Sequence, residues 1–394
     1  MAFLWPRAKK PSKKKKYLIA GMGPGTSGVG RLMSHLVPVA ENAGYKVIYL
    51  SYEHFLCQTD LAKHICHIWQ LTIRRIIKCV FILRIFFIAN ADIIFIHPQS
   101  AGFGIFLRLC KKNKVSLYVV DNSFFCMKSY NYNSQNNIEC LRCLGRPGNH
   151  DAECAPFPKR MSSKKYVTYL LRFKELSNQI NFLVQNELQK SLLREHFGGD
   201  VSCKIVGMNT GEIDNLPAKF IPYKNIYDFD LVYHGAAHPA KGMIYFLELA
   251  RLLPEVVCVI PESKQKVEEI VGHNISLKNI QYIKCTWETG LKEIVSTSKI
   301  VINPSLWSAP IEGALLKSFA FNAHVATVKS DYGYEKEIAD LMGQLRLDPI
   351  PINGALQIRE FLKQDIYKSN KSVMENHKKL SNLQGSNSLS LFRE

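Results

Sequence analysis

Cys126, Cys140, Cys143 and Cys154 fall within one polar stretch, and Cys140-Leu141-Arg142-Cys143 forms a C-x-x-C pair. Four thiolates at such spacing suit a tetrahedral zinc ion, with His150 as an alternative ligand. A redox pair and an iron–sulfur cluster are the other chemistries that four cysteines allow. The chain has eleven cysteines, an odd number, and its N-terminus, MAFLWPRAKKPSKKKK, is basic without the apolar stretch of a secretory leader. A reducing, cytoplasmic setting is expected, in which clustered cysteines read better as metal ligands than as disulfides. The others, Cys57, Cys66, Cys79, Cys110, Cys203, Cys258 and Cys285, lie mostly in apolar runs and are expected in the core.

A second group with chemical potential is the glycine loop GMGPGTSGVGRL, residues 21–32. Gly23-Pro24-Gly25-Thr26-Ser27-Gly28 matches the G-x-G-x-x-G dinucleotide pattern, and Glu53 could serve as its ribose-binding acid. An NAD-type protein is therefore one reading. Pro24 fits it poorly, because the loop must offer backbone N–H groups and proline has none. No Gly-Lys-Ser/Thr follows, which excludes a Walker A loop. Glycines before a helix let an anionic ligand approach the backbone and the N–H donors of the helix N-terminus.

Elements that could position these groups alternate along the chain, as in α/β proteins with parallel sheets. Apolar runs predict strands at Tyr17–Ala20, Lys46–Ser51, Ala91–His97, Val115–Asp121 and Ile180–Val184, with helices at Gly30–Ala43, Phe103–Lys111, 163–178 and 187–197. Residues 122–160 are polar, without helical period, and so long a loop is expected to be functional or held by something other than a core. A break is expected near 215–225, around Pro217 and Pro222. A second series follows, with strands Leu231–His234, Val256–Ile260, Ile280–Ile283, Lys299–Asn303 and His324–Val328, and helices 241–254, 264–271, 310–321 and 355–380. Two doubly wound halves should place a ligand cleft at the C-terminal ends of their strands.

Charge supplies a further expectation. The 394 residues carry a formal net charge of +18, and 47% are apolar and 21% charged, which excludes disorder, collagen and coiled coil as overall descriptions. Arg7, Lys9, Lys10 and Lys13 to Lys16 crowd the first sixteen residues; Lys63, Arg74, Arg75, Lys78 and Arg84 stand in 61–90; neither segment has an acid. The second reads ICHIWQLTIRRIIKCVFILRIFFIA, a mixture that suits a basic amphipathic helix on an anionic membrane surface or a packed helix with a solvated edge. No zinc-finger, helix-turn-helix or aromatic RNA-binding signature appears, so nucleic acid is not expected as a partner. No spanning helix is expected either.

The second half holds LVYHGAAHPAKGMIYFLELARLL and KIVINPSLWSAPIEGALLKSFAFNAHVATVKSDYGYEKEI. Here the chain resembles glycosyltransferases of family 4, which have two Rossmann-like doubly wound domains facing a cleft (the GT-B fold). The residues that carry the resemblance are Gly235 followed by Lys241-Gly242, Pro304-Ser305 followed by Glu312-Gly313, Val325-Ala326-Thr327, Gly333 to Glu337, and the N-terminal Gly28-Val29-Gly30-Arg31. The resemblance implies a nucleotide-sugar donor, retention of anomeric configuration, and no metal for catalysis. It implies donor contacts from Gly28, Gly30, Arg31, Lys241, Gly242, Glu312 and Gly313: Lys241 and helix N-termini for the diphosphate, Glu312 for the ribose hydroxyls. Ala236 stands where the family has Arg, and Pro304 where it has a second Glu. Asn122 stands where it has a catalytic His; His97, at the end of the preceding strand, is the other catalytic candidate. Asp228-Phe229-Asp230 resembles the metal motif of the other glycosyltransferase fold but is read as a surface lead-in to a strand.

The expected organisation is a basic tail 1–16, an acceptor domain 17–218 with the cysteine-rich insertion 122–160, a donor domain 219–380, and a disordered tail 381–394. The expected protein is a glycosyltransferase, possibilities being a cell-surface polysaccharide or a lipid-linked glycan as acceptor, placed in the cytoplasm at the inner face of the membrane. A nucleotide-sugar epimerase and a degenerate, non-catalytic module of the same fold are the remaining readings.

Overall fold

A computed structural model of the chain describes residues 14–51, 60–158, 161–208, 228–364, 373–376, 378–380 and 391–392. Glu53, Cys57, the expected break near 215–225 and most of both tails lie outside these residues. The chain divides into two compact units, residues 1–118 with 175–182, and residues 119–174 with 183–394.

The first half of the chain runs β1 (Lys16–Ala20), α1 (Gly28–Asn42), β2 (Lys46–Tyr49), α2 (Asp60–Phe86), β3 (Asp92–Ile96), α3 (Pro98–Ala101), α4 (Phe103–Cys110) and β4 (Lys114–Tyr118). It continues through β5 (Tyr132–Asn133), β6 (Ile138–Glu139), α5 (Ser163–Glu175), β7 (Ile180–Val184), α6 (Glu187–Phe197) and β8 (Cys203–Ile205). The order of the first sheet is β2-β1-β3-β4-β7-β8. β1, β3 and β4 pair in parallel, and Ile19, Phe95 and Val115 have no exposed surface. Such strands read as continuous apolar runs because helices cover both faces. Ser27 caps α1 by accepting the Gly30 N–H at 3.0 Å, and Leu32, Met33, Leu36 and Ala40 then fall on one buried face.

The second half runs β9 (Phe229–Tyr233), α7 (Met243–Leu252), β10 (Cys258–Ile260), α8 (Lys264–Val271), β11 (Ile280–Tyr282), α9 (Lys292–Thr297), β12 (Ser298–Asn303), α10 (Gly313–Phe321), β13 (Val325–Val328), β14 (Gln344–Leu347) and α11 (Pro351–Leu362). Its sheet order is β11-β10-β9-β12-β13-β14, with parallel pairing throughout. Alternate residues feed opposite layers. Leu231, Tyr233, Ile300 and Ile302 pack with Tyr245, Phe246 and Leu249 of α7 and Ile358 of α11. Val232, Val259 and Val301 pack with Ile294 and Val295 of α9.

Several expectations need correction. The 355–380 helix begins earlier and ends sooner, as α11, because Pro351 is favoured in a first turn; residues 373–376 and 378–380 are helical again. The helix expected from 241 starts at Met243, after a 3₁₀ turn, Pro239–Lys241, and Gly242 at φ +78°. Residues 122–160 contain the antiparallel β5–β6 hairpin and contribute to a core: Phe124, Phe125, Met127 and Tyr132 are buried. Cys110 and Cys258 are core residues as expected, but Cys79 is exposed, and Cys203 and Cys285 are half-buried. Phe229 and Asp230 belong to β9 itself, where Asp230 pairs with Lys299 at 2.7 Å and accepts the Val257 N–H.

Candidate functional site

Counted from β9, the second sheet has the order 3-2-1-4-5-6, and neighbouring strands β9 and β12 send their chains out in opposite lateral directions. A crevice beyond the C-terminal ends of such a strand pair is the general ligand position in doubly wound sheets. The segments leaving these two strands carry Gly235, Lys241, Pro304, Ser305 and Glu312, which the family resemblance singled out, among other polar and aromatic residues. After β9 come His234, Gly235, His238 and Lys241; after β12 come Pro304, Ser305, Trp307, Ser308 and Glu312.

Lys241 and Glu312 form an ion pair, 18% and 10% exposed at their side chains. Ser305 donates to the second Glu312 oxygen at 2.7 Å. The Lys241 ammonium lies 4.6 Å from the Trp307 ring centre and 5.6 Å from that of Tyr130, within cation–π range. The Tyr233 hydroxyl, under the loop, donates to the Ala236 carbonyl at 2.6 Å. Gly242 has no alternative: a Cβ there would stand 1.9 Å from the Pro304 carbonyl oxygen, at a φ that already disfavours L side chains. That contact holds the β9 and β12 loops against each other. Glu312 is the N-cap of α10 and makes no side-chain cap bond, so its carboxylate is committed to Lys241 and Ser305. The first N–H groups of α10 lack intrahelical partners by construction and present positive potential.

The cysteine-rich insertion reaches the same place. Asn122, with no exposed surface, donates from Nδ2 to Asn131 Oδ1 at 2.7 Å and to the Ser308 carbonyl at 2.9 Å. Asn131 Nδ2 donates to Ser308 Oγ at 2.7 Å, and the Ser308 N–H donates back to Asn131 Oδ1 at 3.0 Å. The Ser308 hydroxyl in turn donates to Glu139, whose carboxylate also accepts the backbone N–H groups of Asp331 and Tyr332. Burial raises the Glu139 carboxyl above its ordinary value, with these donors acting in the opposite direction. Three buried polar atoms here, Asn122 Oδ1, Asn303 Oδ1 and Trp307 Nε1, lack a hydrogen-bond partner among the described residues. Tyr130, Asn131, Glu139, Trp307 and Ser308 were not singled out by sequence, because nothing in their spacing signals contacts made across more than 160 residues.

The four cysteines line one cavity of about 20 Å³ with His150, room for roughly one water-sized atom. Burial raises the Cys126 and Cys143 thiols, the latter to about 11, and the neighbouring sulfurs add to the effect. As placed, no group of three or more His, Cys, Asp or Glu side chains among the described residues is arranged to hold a metal ion.

The remaining candidates belong to the first unit. After β1, a Cβ on Gly21 would meet the His97 carbonyl oxygen at 2.2 Å, and one on Gly30 the Gly25 backbone at 2.8 Å, so both are packing glycines. Gly28 has open space around it, and Arg31 is exposed on the first turn of α1. His97 is buried, at φ +60°, as the N-cap of α3.

Two histidines of the second unit fix a pH dependence. His234 Nδ1 lies 2.8 Å from Ser318 Oγ, and His196 Nδ1 accepts the Gly145 N–H at 3.0 Å. Burial, aided by Lys317 and Lys174 respectively, depresses each to about 3 from the usual 6.5. The unfolded chain therefore takes up protons below pH 6.5 that the folded chain refuses until about pH 3. Stability is full above that window and falls as pH falls through it, by about 1.4 kcal/mol per histidine per pH unit. A melting curve taken from pH 7 to 5 should show this decline, and His196→Asn, which keeps an acceptor, should remove its share. An unchanged slope in the variant would exclude His196 as a source.

No family model matches the chain, and no curated protein sequence does. Solved structures do match. A sucrose-phosphate synthase from Thermosynechococcus elongatus superimposes with a TM-score of 0.58 at 12% identity, over 96% of each chain. A UDP-forming α,α-trehalose-phosphate synthase from Burkholderia vietnamiensis gives 0.53 at 11%, over 96% of this chain and 98% of that one. The corresponding synthase from Burkholderia xenovorans, solved with glucose-6-phosphate, gives 0.53 at 9%, with the same coverage. The class defined by these likenesses is that of the two-domain GT-B fold, as the sequence resemblance implied.

Proposed function

We propose that the chain is a glycosyltransferase of hexosyltransferase type, moving a sugar from a nucleotide-sugar donor to a glycan or lipid-linked acceptor with retention of configuration. The observation that carries this reading is the Lys241–Glu312 pair at the β9/β12 switch point of a GT-B fold. In transfer, the bond from the anomeric carbon to the diphosphate breaks and its electron pair leaves on the diphosphate oxygen, while the acceptor hydroxyl oxygen bonds to that carbon from the same face and its proton passes to the leaving diphosphate. Lys241 and the α10 N-terminus at Gly313 meet that growing negative charge with fixed positive potential. Glu312, released from Lys241 as the diphosphate takes its place, accepts hydrogen bonds from the ribose hydroxyls. Gly242 keeps the two loops close enough for both contacts. Trp307 Nε1 and Asn122 Oδ1 supply an unused donor and acceptor beside them. An amide cannot take a proton at neutral pH, so Asn122 would orient a hydroxyl, leaving His97 as the titratable candidate. Gly28 and Arg31 would offer an anion contact at the first turn of α1, whereas Gly30, expected to share it, has its N–H bound to Ser27. The acid at the family's second Glu position is absent, so the donor sugar is held by other groups.

The same reading gives the cysteine insertion a structural zinc and places the protein at the inner face of an anionic membrane, where a lipid-linked acceptor is met. Four cysteines around a one-atom cavity support the first. The second draws support from the basic segment 61–90. The test of the reaction class is the melting temperature with UDP, GDP, ADP, CMP or NAD added. A rise with one nucleoside diphosphate is expected by mass action, and a response to NAD alone would sink the transferase reading.

A further inference from the structure

Among its described residues α2 is apolar on two faces, and one of them packs against the first unit. Phe81, Ile85 and Ile88, in α2 and just beyond it, are buried, and Lys78, on the same side, donates to the Ser100 carbonyl at 3.1 Å. Arg108 of α4 stacks over Phe86 at 3.7 Å. These contacts fix which side of the helix meets the first unit. On the other side Trp69, Ile76, Val80, Leu83 and Phe87 are 64, 57, 50, 62 and 79% exposed. Their spacings of seven, four, three and four residues draw one stripe, about 27 Å long at 1.5 Å per residue. Arg75 and Arg84 are exposed beside it, and no acid occurs from residue 61 to 91. Ile73, Ile77 and Phe86 are half-buried and Phe81 is buried, so they belong to the flanks or the inner face of the helix and not to the stripe.

We propose that this stripe is a docking face for an anionic lipid bilayer, with α2 lying in the interface plane. Apolar side chains on the outer face of a surface helix cost free energy unless something covers them. The occupant is chosen by charge: a stripe bordered by arginines, without an acid, on a chain of net charge +18 complements lipid phosphate. The arginine stems can lie along the apolar boundary while their guanidinium groups reach the headgroups. The helix does not span: no helix among the described residues is long and apolar enough to cross a membrane. The inference deepens the membrane placement proposed above by naming the face that makes it, and it stands independently of the sugar-transfer reading.

The test is co-sedimentation of the full chain with phosphatidylcholine vesicles, with and without about one third phosphatidylglycerol, alongside Ile76→Glu/Leu83→Glu and Arg75→Glu/Arg84→Glu variants. These positions are exposed, and unchanged circular dichroism melting checks that the variants fold. The wild-type chain should bind the anionic vesicles and not the neutral ones, weakening as salt rises past ~0.3 M. Each charge removed should lower partitioning about fivefold. The apolar pair should lower it at least tenfold, and Trp69→Phe should abolish the quenching of tryptophan fluorescence by brominated lipid. Three results would overturn the proposal: equal binding to both vesicles, binding to neither, or wild-type binding by the Ile76/Leu83 variant, which would assign attachment to another segment. Concentration-dependent self-association that this variant abolishes, without vesicle binding, would assign the stripe to a second copy of the chain.

Discussion

Lys241→Ala and Glu312→Ala each lower sugar transfer by ~10²-fold or more, with the fold intact. In the structure the two side chains neutralise each other, and Ser305 holds the free carboxylate oxygen. On the proposed reading a diphosphate entering between the loops that follow β9 and β12 would exchange one anionic partner of Lys241 for another, so the lysine would not face low dielectric uncompensated. Removing either member leaves the other poorly solvated, which costs stability as well as activity. Glu312→Gln separates the two effects. It keeps the shape, the Ser305 contact and an amide oxygen for Lys241, loses the charge that strengthens the ribose hydrogen bonds, and should lower the melting temperature less than Glu312→Ala does. The expected pattern is a rise in donor KM for Glu312→Gln and a fall in kcat for Lys241→Ala, read in steady-state transfer with the nucleotide sugar that stabilises the protein. Wild-type rates in both alanine variants would remove the donor from this position.

The second large effect concerns the insertion. The protein purified without chelator should carry about one zinc per chain, with four cysteine ligands. Cys126, Cys140, Cys143 and Cys154, which line the 20 Å³ cavity, would be its ligands. Binding would deprotonate thiols that burial otherwise keeps protonated, so affinity should fall as pH falls. Cys140→Ser or Cys143→Ser should lose the metal and speed proteolysis within 122–160. Because Asn131 donates to the Cys140 carbonyl at 3.2 Å and to Ser308, loosening the loop should also weaken nucleotide binding. Elemental analysis showing no metal, in protein that still folds, would defeat the zinc site and leave the buried Phe124 and Phe125 as the loop's anchors.

How far the sequence was legible depends on the length scale of the cause. Buried parallel strands write themselves as apolar runs, which is why Ile180–Val184 and the helix Lys264–Val271 match to the residue, the latter between Ser263 and Gly272 caps. β8 and β14 escaped because Cys203–Ile205 and Gln344–Leu347 are short edge strands with polar residues, and pairing rather than pattern makes them strands. The two-residue strands of the insertion are likewise set by tertiary contacts. At the site, Lys241, Gly242 and Glu312 stood out through the family resemblance, whereas their mutual pairing did not show in the sequence. The Asn122–Asn131–Ser308–Glu139 network was invisible, since its members are common surface residue types whose burial only the fold decides. Asn122 itself was found by its place after a strand, not by its partners.

The most direct test of the central claim is calorimetric titration of the stabilising nucleoside diphosphate into the wild-type chain and into Glu312→Ala. One site per chain is predicted for the wild type, with affinity at least tenfold weaker in the variant, as expected when a charged hydrogen-bond partner is lost. Equal affinity in the two proteins would contradict a donor site built on the β9 and β12 loops.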